Sequence, residues 1–368
     1  MRPIYSLLLH TLTSLLLLGV ATLSAQESRI TEVVAYHPAP GQFMGSEAMA
    51  SQDVTTYDDL LRKAQQRLVE EHTFLSLGGW GGYIIVRIQP ALVNQPNQAD
   101  FAILGNAFSG NAEPGIIYVS QDANGNGLAD DPWYRIRGSE DYRSNLDYTI
   151  TYYKPKDPYN DPIAWSDSEG ESGLIPRNKY HKTNSYYPLW EGNKITFTGG
   201  LLPDCMKQEH EGGLWQSQPY AYGYADNHPN NSPGSHIDID SAVNDAGELV
   251  HLERIDFLKV QTGVHQQTEE TGEVSTEFAG IKPLAQDSGI TSPTATPAVR
   301  LSSSDTQLQI VSEVTGTLYL YNIDGQLILT HPLSVGCATV TLPTMNDCYV
   351  ALLRLEGGAF ATYRICRQ

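Results

Sequence analysis

Short β-type segments separated by turn residues are the feature that most restricts the fold of this chain. Each segment is rich in β-branched and aromatic residues, and Gly, Pro, Asn or Asp stands between one segment and the next. Such a series predicts a mostly β protein whose main domain is an antiparallel β-sandwich or jelly roll. The segments are FLSLGGWGGYIIVRI, DFAILGNAF, GIIYVSQD, PWYRIRG, YTITYYK, KITFTGG and HLERIDFLKVQTGV.

One segment near the N-terminus departs from this β pattern. In YDDLLRKAQQRLVEEH, residues 57–72, the apolar side chains recur at helical spacing. The sequence therefore predicts one N-terminal helix on the otherwise β main domain, which we place at residues 26–281.

The first 25 residues have the composition of a targeting segment. Arg2 is their only charged residue, an apolar run extends from Leu7 to Val20, and small residues stand at Ser24 and Ala25. This pattern predicts a secretory signal peptide, residues 1–25, which is too short to span a membrane. No cysteine lies near the predicted cleavage point, so we expect export as a soluble chain without a lipid anchor.

The composition changes again after the main domain. Residues 282–297 combine Pro283, Pro293 and Pro297 with Ser, Thr and Ala, which predicts a linker. Beyond it, residues 298–368 return to β alternation, with turns at NIDGQ, LSVG and EGG. We expect this tail to form a separate, small C-terminal β-sandwich.

The charge balance excludes one class of partner. The chain has 42 acidic and 23 basic residues and a net charge of −19. Nucleic-acid-binding proteins need basic residues that neutralise phosphates, so a nucleic-acid partner is not expected.

The stretch DANGNGLADD, residues 122–131, interrupts two β segments with alternating acids, amides and glycines. It fits the frame D-x-[DN]-x-[DN]-G of a calcium loop, with Gly127 at the sharp turn. Trp133 stands where a bidentate Glu usually completes the shell, so Asp131 or the distant Glu113 would have to replace it. The alternative is an Asn-Gly turn without metal. The predicted ligands of a structural Ca²⁺ are Asp122, Asn124, Asn126, the carbonyl of Leu128, Asp130 and Asp131.

All five tryptophans lie between residues 80 and 215, and tyrosines are frequent in the same span. Rings in Pro- and Asn-rich loops can stack on a sugar or on a large planar ligand. Packing in the core or at a sheet edge is the alternative, and we favour it for Trp80 and Trp133. The candidate ligand-binding residues are Trp165, Tyr186, Tyr187, Trp190, Trp215, Tyr222 and Tyr224.

No motif in the sequence predicts catalysis. Asp226, Asp238, Asp240 and Glu273 could supply the two carboxylates of a glycoside hydrolase, but no recognisable motif pairs them. The histidines lack zinc-type spacing such as HExxH. A binding protein is therefore the favoured interpretation, with a glycan-active hydrolase or an adhesin as the alternatives.

The tail also resembles a known family. Its order of LYLYNIDGQLILT, a Gly turn, TVTLP, YVALLRL and a last strand is similar to the C-terminal sorting domain of type IX secretion cargo in Bacteroidota. Asn346, Asp347 and Cys348 stand where that family usually has a Gly. The resemblance implies export by the type IX secretion machinery, followed by surface attachment or release.

Residues from about 30 to 280 contain a series of motifs in a fixed order: AYHPAPGQFMG, LGGWGGYIIV, DFAILGNAF, EPGIIYVSQDANGNGLADDPWY, YGYADNHP and GEVSTEF. In these motifs the region resembles a Bacteroidota cell-surface family often encoded beside vitamin B12 uptake systems. It implies a surface accessory in the capture of a nutrient, a cobamide or a glycan, with an outer-membrane transporter as a further expected partner.

Overall fold

The computed structural model describes residues 28–284 and 299–366, apart from positions 97, 109–110, 179, 183, 209, 211–214, 269–271, 304–306, 313–314, 323–326, 343–347 and 356–359. The predicted signal peptide and residues 285–298 of the region around the linker lie outside the described residues. The chain divides into two units, Met1–Leu284 and Ala285–Gln368. Each unit is described by itself.

The regular structure of the first unit consists mainly of antiparallel strands, which confirms the predicted fold class. Its strands are β1 (Arg29–His37), β2 (Leu75–Ser76), β3 (Tyr83–Val93), β4 (Phe101–Leu104), β5 (Gly115–Ser120), β6 (Tyr134–Ile136), β7 (Asn145–Tyr153), β8 (Ile163–Asp167), β9 (Ser172–Ile175), β10 (Lys194–Leu201), β11 (Met206–Gln208), β12 (Trp215–Ser217), β13 (Tyr224–Ala225), β14 (His236–Ile237), β15 (Ala242–Val243), β16 (Arg254–Thr262), β17 (Gln267–Thr268), β18 (Gly272–Glu273), β19 (Glu277–Phe278) and β20 (Gly280–Pro283).

Strand β20 corrects the predicted position of the linker. It pairs with β4 along its whole length, so that Lys282 lies opposite Ala102 and Pro283 opposite Phe101. Because its partner strand fixes both residues, Lys282 and Pro283 belong to the first unit, which ends at Leu284.

The predicted helix is present. Helix α1 covers Tyr57–Gln65 and continues as a π-turn over Gln66–Glu70. Thr56 caps its start by accepting a 3.2 Å hydrogen bond from the Asp59 amide. His72 adopts a left-handed conformation with φ of 53°, which is incompatible with further helix. Three short 3₁₀ turns complete the helical content of the described residues: Asp141–Arg143, Pro233–Ser235 and Ile239–Ser241.

A seven-stranded sheet is the framework of the first unit. Its order is β1-β3-β16-β5-β6-β15, and β13 pairs with β5 beside this path. Side chains alternate along β3, so Ile84, Val86 and Ile88 are buried in the main core with helix α1, whereas Tyr83 belongs to the opposite face. The sheet therefore carries a core on each side.

A four-stranded sheet, ordered β10-β7-β8-β9, supplies the second layer. Its inward residues form an aromatic core in which the Trp80 indole contacts Tyr148 edge-on, with ring centroids 4.7 Å apart. The smaller sheets are β14-β4-β20, β11-β12, β17-β18 and β19-β2. The hairpin β11-β12 and strand β8 of the four-stranded sheet flank the cavity described below.

The second unit is also a two-sheet structure. Its strands are β21 (Val299–Ser303), β22 (Gln307–Ser312), β23 (Gly316–Asn322), β24 (Leu327–Leu333), β25 (Gly336–Thr341), β26 (Cys348–Leu355) and β27 (Phe360–Cys366). They form the sheets β21-β22-β25 and β24-β23-β26-β27. Leu308 and Ile310 of the first sheet share one buried cluster with Leu318 and Leu320 of the second, as a sandwich requires.

None of the helices in the described part of the chain has the length and apolar character needed to cross a membrane.

Candidate functional site: an aromatic cleft and a carboxylate chamber

A cavity in the first unit has a volume of about 890 Å³. It lies between the four-stranded sheet, the hairpin β11-β12 and the segment around β17. We call it the aromatic cleft, because Tyr148, Trp165, Trp215 and His265 are among its lining residues. Two of the tryptophans that the sequence nominated for ligand binding, Trp165 and Trp215, therefore lie in one cavity.

The Trp165 indole is held against a glycine. Trp165 on β8 lies directly opposite Gly173 on β9, and a Cβ at Gly173 would stand 2.7 Å from the indole Cζ2. The absence of a side chain at Gly173 lets the ring approach the backbone of β9 this closely. The ring also contacts His265 edge-on, with centroids 4.5 Å apart and an interplanar angle of 77°. The buried indole Nε1 has no hydrogen-bond partner among the described residues.

A short polar network lies beside this ring. The Tyr148 hydroxyl donates a 2.7 Å hydrogen bond to Asp167 Oδ2. Burial tends to raise the pKa of Asp167, but the hydrogen bonds from Tyr148 and from two backbone amides outweigh it and lower that pKa. Burial lowers the pKa of His265 to about 4, so its imidazole is neutral at pH 7. The network therefore presents a carboxylate and an uncharged imidazole to the cleft.

The second tryptophan comes from the hairpin β11-β12. Trp215 pairs with Gln208 across this hairpin and keeps 39% of its surface exposed. Trp215 and Met206 line the aromatic cleft and also a second cavity of about 310 Å³. The two cavities therefore meet at these two side chains.

The charged residues of the cleft all carry negative charge. Asp167, Glu169, Glu171 and Asp204 line it, and no lysine or arginine appears in the described lining. Carboxylates accept hydrogen bonds and repel anions. The arrangement suits an uncharged or cationic ligand that brings hydroxyl or amide donors and a flat apolar face.

The structure places the nominated tyrosines elsewhere. Tyr186, Tyr187 and Tyr224 are buried in the protein interior instead of facing a ligand in a loop. Their hydroxyls are used internally: Tyr186 accepts from the Asn178 amide, Tyr187 donates to the Gly192 carbonyl, and Tyr224 accepts from the Glu140 amide. Each of the three hydroxyls therefore satisfies a backbone group in the interior.

The two remaining aromatic candidates also lie outside the cleft. Tyr222 is 55% exposed and lines none of the described cavities. Trp190 packs against the main core and, with Tyr187, lines a separate cavity of about 410 Å³.

In the predicted calcium loop, side-chain oxygens accept hydrogen bonds from amides of the same loop. Asp122 accepts hydrogen bonds from the Asn126 amide at 3.1 Å and the Gly127 amide at 2.8 Å. Asn124 Oδ1 accepts from the Asn126 amide at 2.9 Å, and the Asn126 side-chain amide contacts both oxygens of Asp130. Gly127 has φ of 74°, as its turn position requires. The four side chains therefore form one hydrogen-bonded turn, in which the side-chain nitrogens of Asn124 and Asn126 donate to Asp130.

Other members of the loop are positioned differently. Leu128 is exposed, and its amide donates to Asn126 Oδ1 at 2.7 Å. Asp131 Oδ2 accepts from the Ala123 amide at 3.1 Å. Glu113, the distant candidate for completing the shell, lies in another carboxylate cluster.

That cluster consists of Glu113, Asp226 and Glu277, each offering a carboxylate oxygen within 4.8 Å of the others. Glu113 and Glu277, together with Glu273, line the 310 Å³ cavity, which we call the carboxylate chamber. The cluster could hold a metal ion. Glu113 lies just before β5, Asp226 directly follows β13, and Glu277 is the first residue of β19. The pairing of these strands brings the three residues together.

The carboxylates are buried and lack cationic partners. Asp226, Glu273 and Glu277 are 2%, 5% and 3% exposed. No described lysine, arginine or histidine forms an ion pair with any of the chamber acids. Burial raises the pKa of Glu113 and of Glu277, and burial together with the charge of Glu113 raises that of Asp226. Burial raises the pKa of Glu273 to about 8.

Backbone amides hold two of these acids in place. Asp226 accepts from the amides of Asn106 and Ala107 at 2.8 Å and from that of Glu277 at 2.9 Å. Glu273 accepts from the Gln42 amide at 2.6 Å. Asp226 itself has φ of 49°, an uncommon conformation for a residue with a side chain. The sequence nominated Asp226 and Glu273 singly but gave no signal that joins them to Glu113 and Glu277.

Comparisons with known proteins add little to this geometry. No protein-family model matches the chain. No curated protein matches it. Among solved structures, the chain is similar to a β-glucuronidase from Faecalibacterium prausnitzii, with 8% sequence identity and a TM-score of 0.18. The match covers 74% of this chain and 47% of that chain, so this chain spans about half of the enzyme's length. A likeness of this size supports no conclusion about function.

Proposed function

We propose that this chain is an exported, cell-surface binding protein that captures an uncharged oligosaccharide in the aromatic cleft without transforming it. The observation that carries the proposal is the joint position of Trp165 and Trp215 in one cavity with four carboxylates. In this proposal, residues 298–368 direct the chain through the type IX secretion machinery, and captured ligand passes to an outer-membrane transporter.

The chemistry of the cleft matches that of a neutral sugar. Sugars present apolar C–H faces that stack on indole rings and hydroxyls that donate to carboxylates. The unpartnered Nε1 of Trp165 would gain an acceptor from a sugar oxygen. The cavity volume of about 890 Å³ lies within the roughly 300–1,000 Å³ of small-molecule sites.

A cobamide is the second candidate, because its amide groups are donors and its corrin ring is large and flat. The same carboxylates and indoles would receive these groups, and the resemblance of residues 30–280 to a family beside vitamin B12 uptake systems favours it. The hydroxyls of a neutral sugar and the amide groups of a cobamide are both uncharged donors, so either can face the acidic lining.

The loop at residues 122–131 is proposed to bind a structural Ca²⁺. The carboxylates of Asp122 and Asp130 and the side-chain amides of Asn124 and Asn126 lie in one hydrogen-bonded turn, and their oxygens are ligands of the type that a hard cation prefers. Arg87 donates to the Gly127 carbonyl and Arg254 to the Asp122 carbonyl, so the main sheet holds the loop from outside. The ion would stiffen the long connection between β5 and β6.

The test is isothermal titration of the mature chain, residues 26–368, with neutral oligosaccharides, with uronic-acid-containing oligosaccharides and with cyanocobalamin. We expect saturable binding of a neutral sugar and at least tenfold weaker binding, about 1.4 kcal/mol, in Trp215→Ala. The matched control is Tyr222→Ala, which removes an exposed aromatic ring outside the cleft and should leave affinity unchanged.

Three outcomes would contradict the proposal. Binding of cyanocobalamin alone would make the cobamide the ligand of the cleft. Release of shortened sugars on prolonged incubation would make the protein a hydrolase. Equal losses in Trp215→Ala and Tyr222→Ala would move the site away from the cleft.

A further inference from the structure

The carboxylate chamber contains more negative charge than its surroundings neutralise. Glu113, Asp226 and Glu277 bring oxygens within 4.8 Å of one another, and Glu273 faces the same cavity. Two like charges this close oppose each other strongly where water is scarce. The cluster must therefore share protons or hold a cation.

Two carboxylate oxygens of the chamber lie outside its hydrogen-bond network. The Oε2 atoms of Glu273 and Glu277 are buried and have no hydrogen-bond partner in the described structure. Both belong to residues that line the chamber and are at least nine-tenths buried. A buried carboxylate oxygen without a donor is costly, and coordination of a metal would satisfy it.

The lining also restricts which ion is suitable. It offers carboxylate, amide and hydroxyl oxygens, and among the described lining residues there is neither histidine nor cysteine. Oxygen-only sites select hard cations such as Ca²⁺ over Zn²⁺ or Cu²⁺. A cavity of about 310 Å³ has room for the ion and for several waters, which occupy about 30 Å³ each.

We propose that the carboxylate chamber is a Ca²⁺ site, with Glu113, Asp226 and Glu277 as ligands and Glu273 facing the ion or its waters. The site is distinct from the loop at residues 122–131 and does not depend on the identity of the ligand in the aromatic cleft. Trp215 lines both cavities, so an ion in the chamber would sit beside the ring that forms part of the cleft.

Terbium luminescence tests the proposal, because Tb³⁺ replaces Ca²⁺ at oxygen sites and is excited by a nearby indole. The mature chain is stripped with EDTA, and Asp122→Asn/Asp130→Asn is used as the background that disables the loop. We expect Trp-sensitised emission that Ca²⁺ displaces. Trp215→Phe should lower this emission while Ca²⁺ affinity, measured by calorimetry, stays within about threefold.

The deciding variants are Glu277→Gln and Glu273→Gln in the same background. Both keep the side-chain volume and remove a charge. We expect Glu277→Gln to weaken Ca²⁺ binding at least tenfold and Glu273→Gln to weaken it less. Exposed Glu70→Gln removes the same charge outside the chamber and should have no effect.

Absence of Ca²⁺ binding in the loop-disabled background would overturn the proposal. So would an unchanged Ca²⁺ affinity in Glu277→Gln, and either result would assign shared protons to the chamber. If Glu277→Gln fails to fold, the other two variants decide the question. Unchanged Ca²⁺ affinity in Glu273→Gln together with unchanged terbium emission in Trp215→Phe would exclude the chamber. If the wild-type protein binds Ca²⁺ in the chamber but no sugar, the proposed function is contradicted and the calcium site is not.

Discussion

The Tyr152 hydroxyl donates a 2.9 Å hydrogen bond to the Trp80 carbonyl, and this bond joins the two layers of the first unit. Tyr152 lies on β7 of the four-stranded sheet, whereas Trp80 lies just before β3 of the seven-stranded sheet. Both side chains are fully buried. Trp80 in turn donates from its indole to the Gly200 carbonyl at 3.2 Å, so one tryptophan connects β3 with both β7 and β10.

Replacing Tyr152 by Phe should destabilise the first unit by about 1–3 kcal/mol, because the variant leaves a buried carbonyl without its donor. Urea unfolding followed by tryptophan fluorescence measures the change. Tyr153→Phe is the matched control. The Tyr153 hydroxyl contacts Ser166 at the surface, so its removal should change the free energy of unfolding by less than about 0.5 kcal/mol. Equal effects in the two variants would contradict the connecting role of Tyr152.

A second prediction concerns pH and His265. Burial lowers the folded-state pKa of His265 to about 4, while the unfolded chain keeps about 6.5. Between these values the unfolded state binds more protons, so the contribution of His265 to stability is present above pH 6.5 and is lost as pH falls toward 4. The groups that face it are Tyr148, Trp165 and Asp167, of which the Asp167 charge acts in the opposite direction.

The measurement is the free energy of unfolding of wild type and of His265→Gln at several pH values from 4 to 8. We expect the difference between the two proteins to change with pH only below about 6.5, with a slope of at most about 1.4 kcal/mol per pH unit. A difference that is constant from pH 4 to 8 would show that His265 titrates normally in the folded protein.

The sequence predicted the architecture well, because alternation and turn residues are local signals. Helix α1 with its π-turn ends at Glu70, two residues before the predicted end at His72. The same local reasoning selected Trp165 and Trp215, which line the aromatic cleft, together with Tyr186 and Tyr187, which are buried. Whether a loop ring faces solvent or folds inward depends on backbone partners such as Asn178 and Gly192, which sequence spacing does not reveal.

The carboxylate chamber was beyond sequence reasoning for a different reason. Glu113, Asp226 and Glu277 are separated by long stretches of chain and come together only when β19 pairs with β2 and β13 pairs with β5. No fixed spacing encodes such a cluster. The loop at residues 122–131, in contrast, is contiguous, so its frame could be recognised directly.

Calcium should stabilise the protein through two separable contributions. Ligand that binds only the folded state adds about 2.7 kcal/mol at one hundred times its Kd, and 1 kcal/mol shifts the Tm of a unit of this size by about 2–4 °C. We expect Asp122→Ala to remove part of the calcium-dependent rise in Tm and Glu277→Gln to remove another part. Because the sites share no ligands, their losses should add.

Differential scanning calorimetry with EDTA and with millimolar Ca²⁺ checks this expectation. Glu70→Gln serves as the control, since it deletes an exposed acid far in sequence from both sites. A calcium-dependent rise in Tm that persists in full in Asp122→Ala would contradict the structural calcium of the loop, whatever the chamber variant does.

The last prediction uses the close contact between Trp165 and Gly173. A Cβ at residue 173 would stand 2.7 Å from Cζ2 and 2.9 Å from Cε2 of the indole, so the ring must move when Gly173 becomes Ala. Gly192→Ala is the matched control, because a Cβ there meets no atom within 4 Å and its φ is not in the left-handed region. We expect Gly173→Ala and Trp165→Ala each to weaken sugar binding by about tenfold, while Gly192→Ala binds normally. Since the displaced ring also leaves His265, the fluorescence of Gly173→Ala should change even without sugar. Unchanged affinity together with an altered spectrum would mean that the ligand contacts Trp215 but not Trp165.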